Sequence, residues 1–187
     1  MAEYVRIPLK RVAVLIGKSG ETRTEVERVT GASLKVESET GEVFIQKAGE
    51  DPLSEWKARD MVKAIGRGFS PEKAFLLKNE DIYLYIIDLH EFLGQSDKKI
   101  KRLKGRVIGK DGKMRNVIEQ ITKTYISVYG KTISLIGDIN EIELAKEAIK
   151  MLLTGSAHST VINYLNRKKR DLSKTERELK QLNSNEG

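Results

Sequence analysis

Two tetrapeptides combine the residue types that hold phosphate: Gly17-Lys18-Ser19-Gly20 and Gly109-Lys110-Asp111-Gly112. Glycine lets a backbone approach an oxyanion closely, and lysine adds a compact point charge. Gly-Lys-Ser also ends the P-loop of nucleotide hydrolases. That pattern needs a glycine five residues before Gly17, where this chain has Val12. The same place before Gly109 is Lys104, and Asp111 stands where a P-loop hydroxyl ligates magnesium. No kinase or GTPase companion motif follows either loop, so no bound nucleotide is expected.

Other chemistry is thinly supplied. The chain has no cysteine, which excludes disulfides and thiol catalysis and fits a reducing, cytoplasmic setting. His90 and His158 are the only imidazoles. Neither has a partner at metal-ligand spacing, so each reads as a capping or surface histidine and no metal or cofactor is expected. The N-terminus MAEYVRIPLK has no apolar signal core, and no apolar run approaches the roughly 20 residues that span a bilayer. Lys and Arg outnumber Asp and Glu 34 to 27, for a net charge of +7. The balance suits an anionic partner, nucleic acid before a membrane surface, or simply a soluble Lys/Glu-rich surface of the kind found in proteins from hot habitats.

The elements that must position the two loops are written twice. Placing Gly17 on Gly109, a shift of 109 − 17 = 92, also brings Lys18 to Lys110, Gly20 to Gly112, Arg23 to Arg115 and Glu27 to Glu119. Apolar positions follow: Ile16 meets Ile108, Val26 meets Ile118, Leu34 meets Ile126 and Val36 meets Val128. Each copy opens on a strand, YVRI at 4–7 and DIYLYIIDL at 81–89. A helix follows, with Pro8 read as a first helical position and Leu9, Val12 and Ile16 on one face. In the second copy Ser96 is the expected N-cap, and Ile100, Leu103 and Val107 share a face. The glycine tetrad separates that helix from another. Two β-rich runs then form a hairpin, through SETGE in the first copy and Tyr-Gly-Lys in the second, and a helix closes the unit. Trp56, in the first closing helix, is expected in the core.

The order is therefore β-α-α-β-β-α, an α+β unit of roughly seventy residues whose three-stranded antiparallel sheet packs under three helices. Expected boundaries are 1–68 for the first domain, 69–80 for a linker with a short helix, 81–155 for the second domain, and 156–187 for a helical extension whose last residues, SNEG, are disordered. No Ser/His or His/carboxylate constellation recurs in the two copies, so no catalytic residue is assigned and an enzyme is not expected.

With GxxG between its central helices, this frame resembles the type I (eukaryotic-type) KH domain over both halves of the chain. The resemblance implies a groove holding about four unpaired nucleotides, with GxxG and its helices as one wall and the following strand and loop as the other. It brings in Ile16, Gly17, Lys18, Ser19, Gly20 and Arg23 from the first copy. From the second come Arg106, Ile108, Gly109, Lys110, Asp111, Gly112, Lys113 and Arg115, with Val128 and Lys131 on the other wall. Ile16, Ile108, Leu34, Val36, Ile126 and Val128 either floor the groove or pack into the core. KH motifs usually place isoleucine where Arg23 and Arg115 stand. These arginines either reach RNA or pair with Glu27 and Glu119 four residues on.

The copies differ in charge. The first loop mixes Lys10, Arg11, Lys18 and Arg23 with Glu21, Glu25 and Glu27, whereas the second lies in DKKIKRLKGRVIGKDGKMR, where only Asp97 and Asp111 are acidic. The second domain is therefore expected to be the principal RNA reader. Its stretches GKDGK, GKTISLIG and LLTGSAHSTV resemble the archaeal and eukaryotic KH proteins of small-subunit ribosome assembly, the partner-of-Nob family. That resemblance implies a single-stranded partner near the 3′ end of the small-subunit rRNA precursor. It also implies a pre-rRNA endonuclease and other assembly or translation proteins as partners. Eukaryotic members tend to lose the first GxxG; its retention here points to the archaeal type. It further implies that residues 155–158 and the helix of Tyr164 pack on the second domain. The alternatives are a general KH adaptor of an exosome or mRNA, and a protein scaffold that keeps its loops by inheritance.

Overall fold

The computed structural model describes residues 3–49, 51 and 53–185. The first copy runs β1 (Glu3–Arg6), α1 (Leu9–Ile16), α2 (Glu21–Thr30), β2 (Ala32–Glu37), β3 (Glu42–Lys47) and α3 (Ser54–Gly66). A short α4 (Pro71–Ala74) precedes the second copy: β4 (Tyr83–Asp88), α5 (Leu89–Leu93), α6 (Asp97–Ile108), α7 (Lys113–Thr122), β5 (Tyr125–Tyr129), β6 (Thr132–Gly137) and α8 (Ile139–Leu153). A long α9 (His158–Asn185) follows. Both sheets are antiparallel with the third strand in the centre, β1-β3-β2 and β4-β6-β5. The α+β class and the doubled β-α-α-β-β-α order expected from the repeat are both present, with α5 an addition in the second copy. Four residues join Glu37 to Glu42 and two join Tyr129 to Thr132, the length difference read from the alignment.

Local chemistry explains the ends. Ser96 Oγ accepts the Lys99 amide at 3.4 Å and starts α6 as expected, whereas Pro8 is the N-cap of α1, one residue earlier than read. Asp88 caps α5 through the His90 amide at 2.8 Å. At the end of α2, Gly31 takes the left-handed conformation (φ 70°), and its counterpart in the second copy is Lys123 (φ 57°). A side chain in that conformation costs about 1–2 kcal/mol, which glycine avoids.

Compactness divides the chain differently from the repeat. One unit is Met1–Gly94 with Tyr125–Ile139, and the other is Gln95–Thr124 with Asn140–Gly187. The first thus holds the whole first copy and the second copy's sheet. Every residue of β6 is buried, so the strand has no solvent face. The face carrying Thr132, Ser134 and Ile136 is covered by the first copy, whose core cluster includes Ile136 with Ile65, Phe69 and Leu77. Ser127 Oγ donates to the Arg67 carbonyl at 2.7 Å. A Cβ on Gly68 would come within 2.9 Å of Tyr129 Cβ. Arg11 ties this unit together: its Nε donates to Ile65 O at 2.7 Å, its Nη2 to Phe69 O at 2.6 Å, and its guanidinium lies 5.8 Å from the Tyr129 ring centre. It adds a second donor to the Ile65 carbonyl, which also accepts the Gly68 amide at 3.1 Å, and it donates to the Phe69 carbonyl just beyond α3.

Two apolar residues depart from expectation. Trp56 is 56% exposed rather than core, because α3 buries Ala58, Met61, Val62 and Ile65 and Trp56 falls off that stripe. Leu9 is 58% exposed, since α1 turns Val12 and Leu15 inward and leaves Leu9 on the other side. In the second unit the expected face of α6 is buried at Ile100, Leu103 and Val107. There Arg106 donates to the Ser156 carbonyl, His158 Nε2 lies 2.9 Å from the Arg106 carbonyl, and α9 packs on α7. Of the expected disordered tail, Ser184 and Asn185 continue α9, while Glu186 and Gly187 lie outside the described residues.

Two outcomes are expected in chemical denaturation. Lys123→Gly should raise stability by about 1 kcal/mol, and Gly31→Lys should lower it comparably. Arg11→Met should cost about 2–3 kcal/mol, since two charge-assisted hydrogen bonds are lost and the Phe69 carbonyl loses its donor; Lys10→Met, on the exposed side of the same helix, should stay within about 0.5 kcal/mol of wild type.

Candidate nucleic-acid interface

Each glycine tetrad is a kinked turn between two helices, and the two copies agree closely. Gly17 has φ 76° and Gly20 φ 83°; Gly109 and Gly112 have 73° and 74°. The intervening Ser19 and Asp111 are also left-handed, at φ 53° and 54°. Residue type hints at this only for Asp111, since aspartate enters the left-handed region more readily than serine does. The first glycine of each loop has no room for a side chain. A Cβ on Gly17 would sit 2.4 Å from Thr22 Oγ1 and 2.7 Å from its amide nitrogen, and one on Gly109 would sit 2.7 Å from Met114 Cβ. The second glycine faces open space: nothing lies within 4 Å of a Cβ on Gly20, and only Arg115 Nη2, at 3.8 Å, on Gly112.

Directly after the loops, α2 and α7 begin with no side-chain cap. An uncapped helix start offers backbone N–H groups and a partial positive charge, the combination that receives a phosphate. Lys18, Ser19, Lys110, Asp111 and Lys113 are exposed beside these starts. Asp111 carries a negative charge there, so its contribution to an anion site is its backbone.

The two arginines resolve differently from a helix ion pair. The Glu27 carboxylate accepts the Leu34 amide at 2.7 Å, fastening α2 to β2. Among the described residues Arg23 has no ion-pair partner, and its side chain is exposed. Arg115 is half-buried, its Nε is buried without a hydrogen-bond partner, and its Nη2 is the atom nearest a Cβ on Gly112. Arg28, by contrast, is held by Glu25 through two bonds of 2.6 and 2.7 Å, which keep that carboxyl below its ordinary pKa.

The apolar walls sort by burial. Leu34 and Ile126 are core, whereas Ile16, Val36, Ile108 and Val128 are half-buried, with surface left for a base. On α1 the stripe Leu9, Ala13, Ile16, spaced by four and three residues, leads from the exposed start of the helix to the loop. Leu9 and Ala13 were missed as candidates. The signal was available: the counterpart of Leu9 is Lys101, which no core would hold. Of the second copy's residues, Arg106 is committed to Ser156, while Lys131 is exposed. The loop residues 108–115 belong to the second compact unit, and Val128 and Lys131 to the first.

The cationic run of the second copy is on the surface: Lys98, Lys99, Lys101, Arg102, Lys110 and Lys113 are all exposed, and none has a carboxylate partner among the described residues. No group of three or more His, Asp or Glu residues that could hold a metal occurs among them, and no described helix is long and apolar enough to cross a membrane.

Residues 83–170 match a family model described as eukaryotic-type KH domain, KH-domain type I, and residues 2–64 match the KH domain. A KH domain-containing protein of Methanocaldococcus jannaschii is 42% identical over 178 residues, 95% of this chain and 78% of the relative. The pre-rRNA-processing protein PNO1 of Candida albicans is 30% identical over 71% of this chain, which spans 48% of that protein. Among solved structures, a chain in the a/eIF2alpha-aDim2p-rRNA complex of Pyrococcus horikoshii superposes with a TM-score of 0.86 at 50% identity, covering 91% of this chain and 95% of that one.

Gly17→Ala and Gly20→Ala separate the two demands on the loop. In urea unfolding Gly20→Ala should cost about 1 kcal/mol, the price of φ alone, while Gly17→Ala should cost about 3 kcal/mol because Thr22 must also move.

Proposed function

Since the chain belongs to the KH-domain family of the PNO1 and Dim2 proteins, we propose that it is a single-stranded RNA-binding factor of small-subunit ribosome assembly, acting near the 3′ end of the rRNA precursor. One observation carries this most directly: the same glycine cradle occurs twice, each time opening onto an uncapped helix start with an exposed lysine beside it. Glycine removes the side chain, so a sugar-phosphate backbone can lie against the main chain. The helix start and Lys18 or Lys110 then take the phosphate charge. The half-buried Ile16 and Val36 offer one base an apolar surface, and Ile108 beside the second loop is half-buried as well.

The repeats at 1–68 and 81–155 are the RNA-reading modules of this proposal, and the second is the principal reader. Its loop lies among unneutralised cations, whereas the first is interleaved with glutamates. Arg23 and Arg115 replace an apolar KH position with a guanidinium that reaches phosphate or a base edge; the unpartnered Nε of Arg115 supports that role. No catalytic step is assigned to the chain, so cleavage of the precursor falls to a separate endonuclease. The Pyrococcus complex, with its translation-factor subunit and rRNA, supports a cytoplasmic, archaeal-type setting with translation proteins as partners.

Lys110→Asp should lower affinity for a single-stranded oligonucleotide of small-subunit rRNA 3′ sequence at least tenfold, and Lys18→Asp should lower it less. With about four phosphates in a groove, log affinity should fall against log salt with a slope of roughly −3. Fluorescence anisotropy reads both. Unchanged affinity in both variants would remove RNA binding by these loops.

A further inference from the structure

The extension α9 carries a feature that the KH loops do not use. It is 28 residues long, about 42 Å of continuous helix. Val161 and Leu165 are buried along one side. On another side Asn163, Arg167, Arg170, Lys174 and Arg177 recur at alternating steps of four and three residues, the spacing of a single helix face. They line an open concavity of about 1110 Å³ together with Tyr164 at its start and Met151 of α8 at its edge. Arg167, Arg170, Lys174 and Arg177 are exposed and have no carboxylate partner among the described residues. Like charges at this spacing repel one another along a helix. Asp171 and Glu178 stand at helical spacing from these cations, yet no carboxylate is within ion-pair distance of them among the described residues, so the face stays complementary to a polyanion.

The kind of polyanion follows from what the stripe lacks. Proteins that grip single strands set aromatic side chains under the bases. After Tyr164 the sequence has no aromatic residue, and the Tyr164 ring is already faced by the Lys168 ammonium at 6.0 Å. From Arg167 to Arg177 the face therefore offers cations and no stacking surface, and what it reads is phosphate. In double-helical RNA the bases are paired and turned inward, so phosphates and 2′-hydroxyls are what the surface presents. We propose that the Arg167–Arg170–Lys174–Arg177 face of α9 binds the phosphate backbone of a double-helical RNA stem, alongside the single strand held by the second GxxG loop, which lies in the same compact unit. This rests on the RNA-binding reading above and adds a structural requirement to the target: a stem next to the unpaired segment.

The test uses the full chain and three fluorescent RNAs: the single strand, the same strand joined to a hairpin stem, and the stem alone. Wild type should bind the joined RNA at least tenfold more tightly than the single strand at 50 mM salt. The advantage should shrink markedly at 200 mM, as expected for about four additional phosphate contacts. The R167Q/R170Q/K174Q/R177Q variant should lose that advantage and keep its single-strand affinity; R167K/R170K/R177K, which preserves the charge, should retain both. Equal binding of the two RNAs by wild type, a stem advantage surviving in the glutamine variant, or equal loss on both RNAs would each overturn the proposal. Failure of the KH reading is seen separately, as a single strand that Lys110→Asp binds as well as wild type does.

Discussion

The interface depends on a steric constraint at one atom position. A methyl group at Gly17 would meet Thr22, and one at Gly109 would meet Met114, both well inside van der Waals contact. The backbone can therefore pass that close to the next helix only without a side chain, and the left-handed turn follows from the same freedom. Once the turn is made, α2 and α7 start with their amides facing outward and no side-chain cap in the way. In the proposed function, lysine charge, helix dipole and a sugar-phosphate backbone would meet at the place this turn creates. Ser19 and Asp111 accept strained conformations to complete it, a cost of the sort found where geometry serves binding.

Around that shared device the two copies have specialised in different ways. The first has a neutral stripe of Leu9, Ala13 and Ile16 leading to its loop, and glutamates on α2, one of which fastens β2 and another of which occupies Arg28. The second has lysines and arginines on the corresponding side of α6 and a half-buried arginine beneath its second glycine. A polyanion is attracted to the second surface over a longer range, while the first offers mostly short-range apolar contact. The cationic face of α9 lies in the same compact unit as the second loop, so that unit concentrates the unneutralised positive charge.

Much of this was legible in the chain because duplication makes a sequence its own control. Agreement at a shift of 92 residues identified the glycine loops, the hairpins and the helix order without reference to any structure. Two apolar residues show why both copies matter. Leu9 shares the apolar spacing of α1 with Val12 and Ile16, yet its counterpart is Lys101 and the residue is exposed. Trp56 was assigned to the core by residue type, yet the stripe of Ala58, Met61 and Ile65 passes it by. Hydrophobicity states a preference for burial, but a helix has a single inward face, and its phase is set by the residues that fit there.

The amino-acid sequence by itself determined the α+β class, the KH order of elements, the two phosphate-approach turns and the imbalance of charge between them. Each is encoded by residues near one another along the chain: glycine where φ must be positive, alternation in the strands, apolar positions at helical spacing. Only the tertiary structure decided that the second sheet shares a compact unit with the first copy. That grouping depends on Ile136 entering a distant core, on Ser127 meeting the Arg67 carbonyl, and on Arg11 reaching both Phe69 and Tyr129. Such contacts join residues more than fifty positions apart, where no local pattern specifies a partner and close packing alone selects it.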